Sequence, residues 1–395
     1  MRDRLDGVFN MRATIVSSHS DVPADLWDQT FRPPVEGRWW YAAYETAGLG
    51  QFDFFYAVLS EDGTPVGLAP VFLMTVPLRL VAPPEFTSLV GILEKWLPAL
   101  VNRRILFVGS PSSEEGHVGF LPGTDRHAGL AALQTALDLE ARRLEASLVV
   151  WKDFPAEYDP LFAELRSKTR LFPVVDFPGS EIALPSSSKQ DYFAALKGSR
   201  RQDLRRRLRR SAEQIDLEVS VVQTPDDAVL DQMFALYQQS YERAAVKFER
   251  LNRAFFADLA RNPTTYFVLL RERQTSKMVA FSMCFLLNTC VINKCAGLDY
   301  TRPSTLFLNY RLWDAVLDWA LSVGAKSMRS GQTGYSAKVE FGHHLVPLTN
   351  WCHLRNPILH AGLKLIARRI SWASLDPDLA AFESRQRVLS TPTSG

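Results

Sequence analysis

The chain has 395 residues, 45 Lys and Arg against 43 Asp and Glu, and a net charge of only +2. That length fits two domains, and 47% hydrophobic with 22% charged residues excludes a disordered chain. Cys284, Cys290, Cys295 and Cys352 form no CxxC pair, so neither a zinc module nor a disulfide framework is expected, and all four read as reduced core thiols. No stretch reaches the roughly 18 uncharged apolar residues of a membrane span. The N-terminus has acids and no apolar run, so it is not read as a secretory signal.

The first half opens with a strand, "MRATIVSS", and two short helices, "ADLWDQTF" and "GRWWYAAYETAG", the second ending at Gly48. Two apolar runs flank Asp62-Gly63, a strong hairpin signal. "EFTSLVGILEKWLPALVNRR" predicts a helix with a broad apolar face, buried in an interface or touching a membrane or acyl chain. A strand "RILFVGSP", a helix "RHAGLAALQTALDLEARRLEA" and a strand "SLVVWKDFP" follow. The second half repeats this order. A strand "LEVSVVQTP" leads into a helix capped near Asp226 or Asp227 and a second helix stopped at Asn262-Pro263. Three tightly linked strands follow to Tyr300, then a helix ending at Gly324 and a strand "KSMRSG". Two copies of one α+β unit, with a seam near residues 155 to 180, explain this pattern. The ends, "GVFNMR" and "RVLSTPTSG", read as disordered.

"KGSRRQDLRRRLRR", residues 197–210, carries eight basic residues and one acid, so the rest of the chain sums to −5. On a helix, Leu196, Leu204, Leu208, Ala212 and Ile215 form a narrow apolar seam, with Arg200 continuing the row. The arginines are then either a solvated face or a phosphate-binding surface, for which the planar guanidinium is suited. No helix-turn-helix, zinc or heptad spacing accompanies them, so a DNA reader is not expected.

The strand, two helices, three strands, helix and strand of residues 217–330 resemble the GNAT acyltransferase fold. A tandem pair resembles the Fem-type peptidyltransferases and their wider N-acyltransferase relatives, most strongly from Tyr192 to Arg355. The resemblance implies an α+β fold of two tandem GNAT-like domains, each a mixed, mostly antiparallel sheet flanked by helices. It places an N-terminal domain at 1–175 and a catalytic domain at 176–356 containing the Arg-rich helix 197–215. A C-terminal helix and tail follow at 357–395.

"SGQTGYSAKVEFGHHLVPLTN" resembles the Gly-rich, lysine-containing segment of these transferases, which implies that Lys338 holds the donor carbonyl and its oxyanion. Gly331, Gly334 and Gly342 permit close backbone approach. Candidate bases are Glu340, His343, His344 and Asp299, and Tyr300 is a candidate donor to the leaving group. Ser304 or Thr305 is expected to cap the following helix, whose N-terminus, with Arg302 beside it, would take the donor's phosphates. Arg205, Arg206 and Arg209 add phosphate contacts. Tyr237, Tyr241 and Lys247 would line the acceptor pocket, with Gln332 beside them. The Gln/Arg-x-x-Gly-x-Gly/Ala acetyl-CoA signature is absent from its loop.

The expectation is therefore a cytoplasmic N-acyltransferase or aminoacyltransferase of the EC 2.3 class. It moves an acyl or aminoacyl group from aminoacyl-tRNA or acyl-CoA to an amine on a natural product, cell-wall or polysaccharide precursor. These donors are co-substrates, and no tightly bound cofactor or metal is expected. Expected partners are the small-molecule acceptor and, for one donor, tRNA. Apolar helices with basic ends, including "NPILHAGLKLIARRISWASL", keep peripheral membrane contact open. The alternative is a non-catalytic GNAT-like protein that holds RNA or anionic lipid on the Arg-rich helix.

Overall fold

A computed structural model describes residues 11–77, 102–185, 188–244 and 247–390. It contains two mixed sheets flanked by helices. In the first half, β1 (Met11–Val16), α1 (Ala24–Thr30) and α2 (Arg38–Ala47) lead to the hairpin β2 (Phe52–Glu61) and β3 (Thr64–Pro77). The hairpin turns where the sequence indicates, with Asp62 and Gly63 at φ 48° and 86°. Gly48 ends α2 in the left-handed conformation, φ 59°. Then come β4 (Asn102–Val108), β5 (Gly119–Phe120), α3 (Arg126–Arg143), β6 (Leu148–Pro155), α4 (Asp159–Lys168) and β7 (Phe172–Val175). The helix expected over 85–104 lies outside the described residues, apart from 102–104, which begin β4.

The second half starts with β8 (Gly179–Ala183), α5 (Lys189–Ala195), α6 (Gly198–Gln214), β9 (Leu217–Val222), α7 (Asp227–Arg243) and α8 (Arg253–Leu259). The meander β10 (Thr265–Glu272), β11 (Met278–Leu287) and β12 (Cys290–Leu298) leads through α9 (Leu308–Ser322) to β13 (Ser327–Arg329). Next are α10 (Tyr335–Glu340), β14 (His344–Val346) and β15 (Leu348–Leu354). The chain closes with α11 (Pro357–Ala367), α12 (Trp372–Leu375) and α13 (Pro377–Ser390). The end expected to be disordered is helical through Ser390.

The strand orders are β1-β2-β3-β4-β6-β15-β7, with β5 on β3, and β14-β8-β13-β12-β11-β10-β9. Each half has one parallel pair, β4 with β6 and β12 with β13, joined by a crossover helix, α3 or α9. That shared unit is the repeat read in the sequence. The chain then crosses back, because β15 pairs with β6 and β7 of the first sheet.

Three apolar layers result. Leu106, Val149 and Trp151 pack one face of the first sheet under Leu130, Leu133 and Phe162 of α3 and α4. Val268, Leu270 and Val291 of the second sheet face Trp313, Val316 and Ala320 of α9. The middle layer is shared: Trp40, Phe72 and Phe107 join Phe255, Phe281 and Phe285. The halves therefore bury one core between them, and whatever is polar there has no water to fall back on.

Two local expectations fail. Ser304 and Thr305 do not cap α9: they sit in a short 3-10 turn, and the helix begins after Phe307, which is left-handed at φ 49°. On α6 the inward row is Leu204, Ser211 and Ile215 with Leu208, while Ala212 is exposed. The Ser211 hydroxyl donates to the Leu306 carbonyl at 2.6 Å, which fastens α6 to the approach of α9.

Candidate active site

The parallel pair β12 and β13 bonds only from Cys290 to Ile292 and from Ser327 to Arg329. Lys294 lies further along β12, and Gly331 follows the end of β13. The loop after β4 in the first half brings Glu114 between them. Glu114 accepts the Gly331 N–H at 2.7 Å and pairs with Lys294 at 3.0 Å, and Glu36 meets the same ammonium at 3.1 Å. The three side chains are only 6%, 5% and 3% exposed. Burial disfavours the Lys294 cation, but the two carboxylates outweigh it and hold its pKa above the usual lysine value. The next residue, Glu115, reaches Arg329 at 3.0 Å.

Beside this cluster, α10 aims Lys338 at three backbone carbonyls. Its Nζ donates to Ser330, to Gly331 at 3.1 Å and to Gln332 at 3.2 Å. Gly331 and Gly334 provide the left-handed turns, at φ 58° and 63°, that wrap this chain around the ammonium. Neutral carbonyls compensate a buried cation only partly. Burial pushes Lys338 down to about 8, opposed by the charge of Glu114.

A third group completes the centre. Lys152 and Asp153 end β6 as an ion pair, and Asp153 is left-handed at φ 62°. Asn350 on β15 accepts the Asp153 N–H at 2.8 Å and donates to Asp176 at 2.5 Å. Burial and the charge of Asp153 push Asp176 well above the carboxylate range. Asp153 is buried too, yet Lys152 and hydrogen bonds from Asp176 and Gln332 keep it low. Ser330 Oγ is buried without a hydrogen-bond partner among the described residues, on the residue whose carbonyl accepts from Lys338. Burial also raises Glu249, against the pull of Lys152 and Lys294. Asn350 further lines a groove of about 1550 Å³ walled by Ile105, Phe107, Val150, Val174, Cys352, Leu359 and Leu363.

Residues 185–369 match the FemAB-like family, described as peptidoglycan biosynthesis/recognition. The fold is similar to the crystal structure of FemX, with a TM-score of 0.57 and 9% identity over 89% of this chain and 100% of that one. It is also similar to L-PGS from Bacillus licheniformis, with a TM-score of 0.51 and 12% identity over 86% and 97%. A tandem GNAT protein from the clavulanic acid biosynthesis pathway matches at a TM-score of 0.49 and 12% identity, over 88% and 99%. No curated protein matches the sequence. Residues 185–369 are thus similar to the FemAB-like family, and the chain as a whole has the fold of FemX and L-PGS.

Lys338 and Gln332 stand in this buried centre. Tyr237 borders it, 7% exposed, accepting the Leu251 N–H at 3.0 Å. Tyr241 packs on Tyr237 at 6.1 Å, and Lys247 lies 5.6 Å over the Tyr241 ring, so these three do come together. The remaining residues lie elsewhere. Glu340 accepts from Tyr310 at 2.7 Å and pairs with Arg207 at 3.2 Å. His343 is buried; Trp313 donates to its Nε2 at 3.3 Å, and burial, then Lys338, push it down to about 3, so it is a neutral packing group. His344 is exposed on β14. Asp299 is tied to Lys277 at 2.9 Å and Arg302 to Glu272 at 2.9 Å. Tyr300 is exposed under Arg243, 4.7 Å from its ring. Ser304 and Thr305 are exposed in their turn. Arg205, Arg206 and Arg209 are exposed on α6, Arg206 paired with Asp203 and Arg209 3.9 Å from Glu213.

Glu36, Glu114, Lys152, Asp153, Asp176, Glu249, Lys294 and Asn350 were not singled out in the sequence. One signal was present: a lysine inside the apolar strand "CVINKCAGL" and a Lys-Asp pair ending "LVVWKDF". Among the described residues there is no group of three or more His, Cys, Asp or Glu placed to hold a metal. No described helix is long and apolar enough to cross a membrane.

Proposed function

We propose that this protein is an N-acyltransferase, with its chemistry in the buried centre between the halves. It moves an acyl or aminoacyl group from acyl-CoA or aminoacyl-tRNA to the amine of a small-molecule acceptor of the cell-wall or lipid-precursor kind. The observation that carries this reading is the Lys338 ammonium, held by three carbonyls beside the buried Ser330 hydroxyl and the buried Asp153–Asp176 pair. The family match and the fold support a transferase of this type.

The geometry divides the work. Attack of a neutral amine on the donor carbonyl forms a C–N bond and an oxyanion. Lys338, with the unpartnered Ser330 hydroxyl nearby, is suited to stabilise that oxygen in a site of low dielectric. The C–O or C–S bond to the donor then breaks. The buried Asp153–Asp176 pair is placed to take up the proton released by nitrogen and to pass a proton to the leaving group. The exposed arginines of α6 suit a polyanionic donor, whose affinity would fall with salt.

The test supplies labelled aminoacyl-tRNA or acyl-CoA together with the amine-containing small-molecule and lipid-precursor fractions of host cells. Label is expected to pass from one donor class into an amide, and Lys338→Met should lower the rate about 10²- to 10³-fold. Absence of transfer from both donors, with RNA or anionic lipid still bound, would overturn this reading in favour of a non-catalytic binding protein.

A further inference from the structure

Helix α11 has a covered side and an uncovered side. His360 and Ala367 face the first sheet: His360 packs edge-on against Phe172 at 4.9 Å, and its Nδ1 accepts the Leu354 N–H at 3.4 Å. The opposite arc carries Ile358, Leu359, Leu365 and Ile366, which are 81%, 52%, 59% and 36% exposed. Single exposed apolar residues are ordinary, but four on one helix of eleven residues form a patch. The charge around it is of one sign. From Leu354 to Leu375 the sequence contains Arg355, Lys364, Arg368 and Arg369 and no Asp or Glu. Lys364 on the helix and Arg368 at its C-cap lie along one edge of the apolar arc, Arg369 follows, and the partly buried Trp372 opens the next helix.

An apolar arc edged only by cations is a poor match for a protein partner, whose interface core is depleted of charge on both sides. It is the pattern of a helix lying in the plane of a membrane surface, with its apolar arc below the headgroups and its basic residues among their phosphates. The surroundings agree. Leu359, Leu363 and Ile366 also wall the 1550 Å³ groove, whose charged lining is four arginines, Arg103, Arg142, Arg170 and Arg355, against two acids, Asp138 and Glu145. The groove therefore opens where α11 is uncovered, and its wall reaches Asn350, which holds the acid pair of the centre.

We propose that α11, through Ile358, Leu359, Leu365 and Ile366 with Lys364, Arg368 and Arg369, docks this protein on an anionic lipid bilayer. Docking sets the mouth of the groove against the membrane. This does not depend on which donor or acceptor the centre uses.

The test is co-sedimentation of the full chain with phosphatidylcholine vesicles, with and without phosphatidylglycerol, across a salt series. Binding is expected with the anionic vesicles and should weaken as salt rises. Ile358→Glu with Leu365→Glu should abolish it. Arg368→Gln with Arg369→Gln should weaken it by about tenfold or more and flatten its salt dependence. Neither pair should change the melting temperature or the circular dichroism spectrum, because none of these side chains is buried. Three outcomes would overturn the proposal. The protein could stay in the supernatant with anionic vesicles, or both variants could sediment like the unaltered chain. Alternatively, it could be a dimer in solution that the Ile358/Leu365 variant converts to monomer, showing that a second copy covers this face.

Discussion

Two of the protein's groups of cations differ in their access to water. On α6, Arg205, Arg206 and Arg209 project into solvent, and their acidic neighbours Asp203 and Glu213 are also on the surface. Between the halves, Lys294 lies over Trp40 and Lys152 over Phe248 of the shared core layer, and the Lys338 ammonium is buried against backbone carbonyls beside them. Exposed ion pairs are worth little to stability, so the arginines are free to exchange partners. A buried cation without a partner is costly, so each lysine is fixed by named groups. Those groups differ in turn. Carboxylates raise Lys294 and Lys152, while burial of Lys338, opposed by the charge of Glu114, leaves it near 8. A lysine poised in that range, beside the unpartnered Ser330 hydroxyl, is the one suited to chemistry.

The largest expected effect breaks the buried side of this contrast. Lys294→Met leaves Glu36 and Glu114 uncompensated and should cost about 3–5 kcal/mol in denaturant unfolding. Adding Glu36→Gln and Glu114→Gln should recover most of it, because the penalty lies in the unpaired charges. Next is Lys338→Met, expected to remove about 2.7–4 kcal/mol of transition-state stabilisation, read as kcat. Its pH dependence sharpens the point. The folded pKa of about 8 lies below the unfolded lysine value of about 10.4, so the folded state releases this proton first. Below about pH 8 the buried charge costs stability, and that cost fades as pH rises toward 10. Lys338→Met should therefore stabilise the protein at pH 7 more than at pH 10. In the unaltered enzyme, transfer should fall as pH rises through about 8. Ser211→Ala removes the hydroxyl that holds α6 to Leu306 and should cost about 1 kcal/mol in thermal unfolding. Smallest is Arg205→Gln with Arg209→Gln, expected to leave stability within about 0.5 kcal/mol while reducing the salt dependence of donor binding.

The arginine helix was legible in the sequence because its charge is contiguous and its leucines keep helical spacing. Its inner row slipped by one residue, from Ala212 to Ser211, because a serine with a backbone partner can be buried as readily as an alanine. The paired repeats were legible for a similar reason, since apolar periodicity and the Asp62-Gly63 turn are local signals. Strands β8, β14 and β15 were not. They are short or polar, and their places depend on a crossing between sheets that no local pattern records. The centre was harder still. Lys338 was reached through its segment, but its companions come from Glu36, the loop at Glu114, the end of β6, Asp176 and β15. Only the joining of the two halves makes them neighbours. The charge inside "CVINKCAGL" marks a buried ion without naming its partners.

The most direct test is a steady-state comparison of Lys338→Met with Arg205→Gln/Arg209→Gln, using whichever donor supports transfer. The expected result is a split: Lys338→Met lowers kcat about 10²- to 10³-fold with little change in donor KM, and the arginine variant raises KM in a salt-dependent way at constant kcat. A Lys338→Met enzyme that is folded and retains its kcat would contradict the account, because the buried centre would then hold the halves together without performing the transfer.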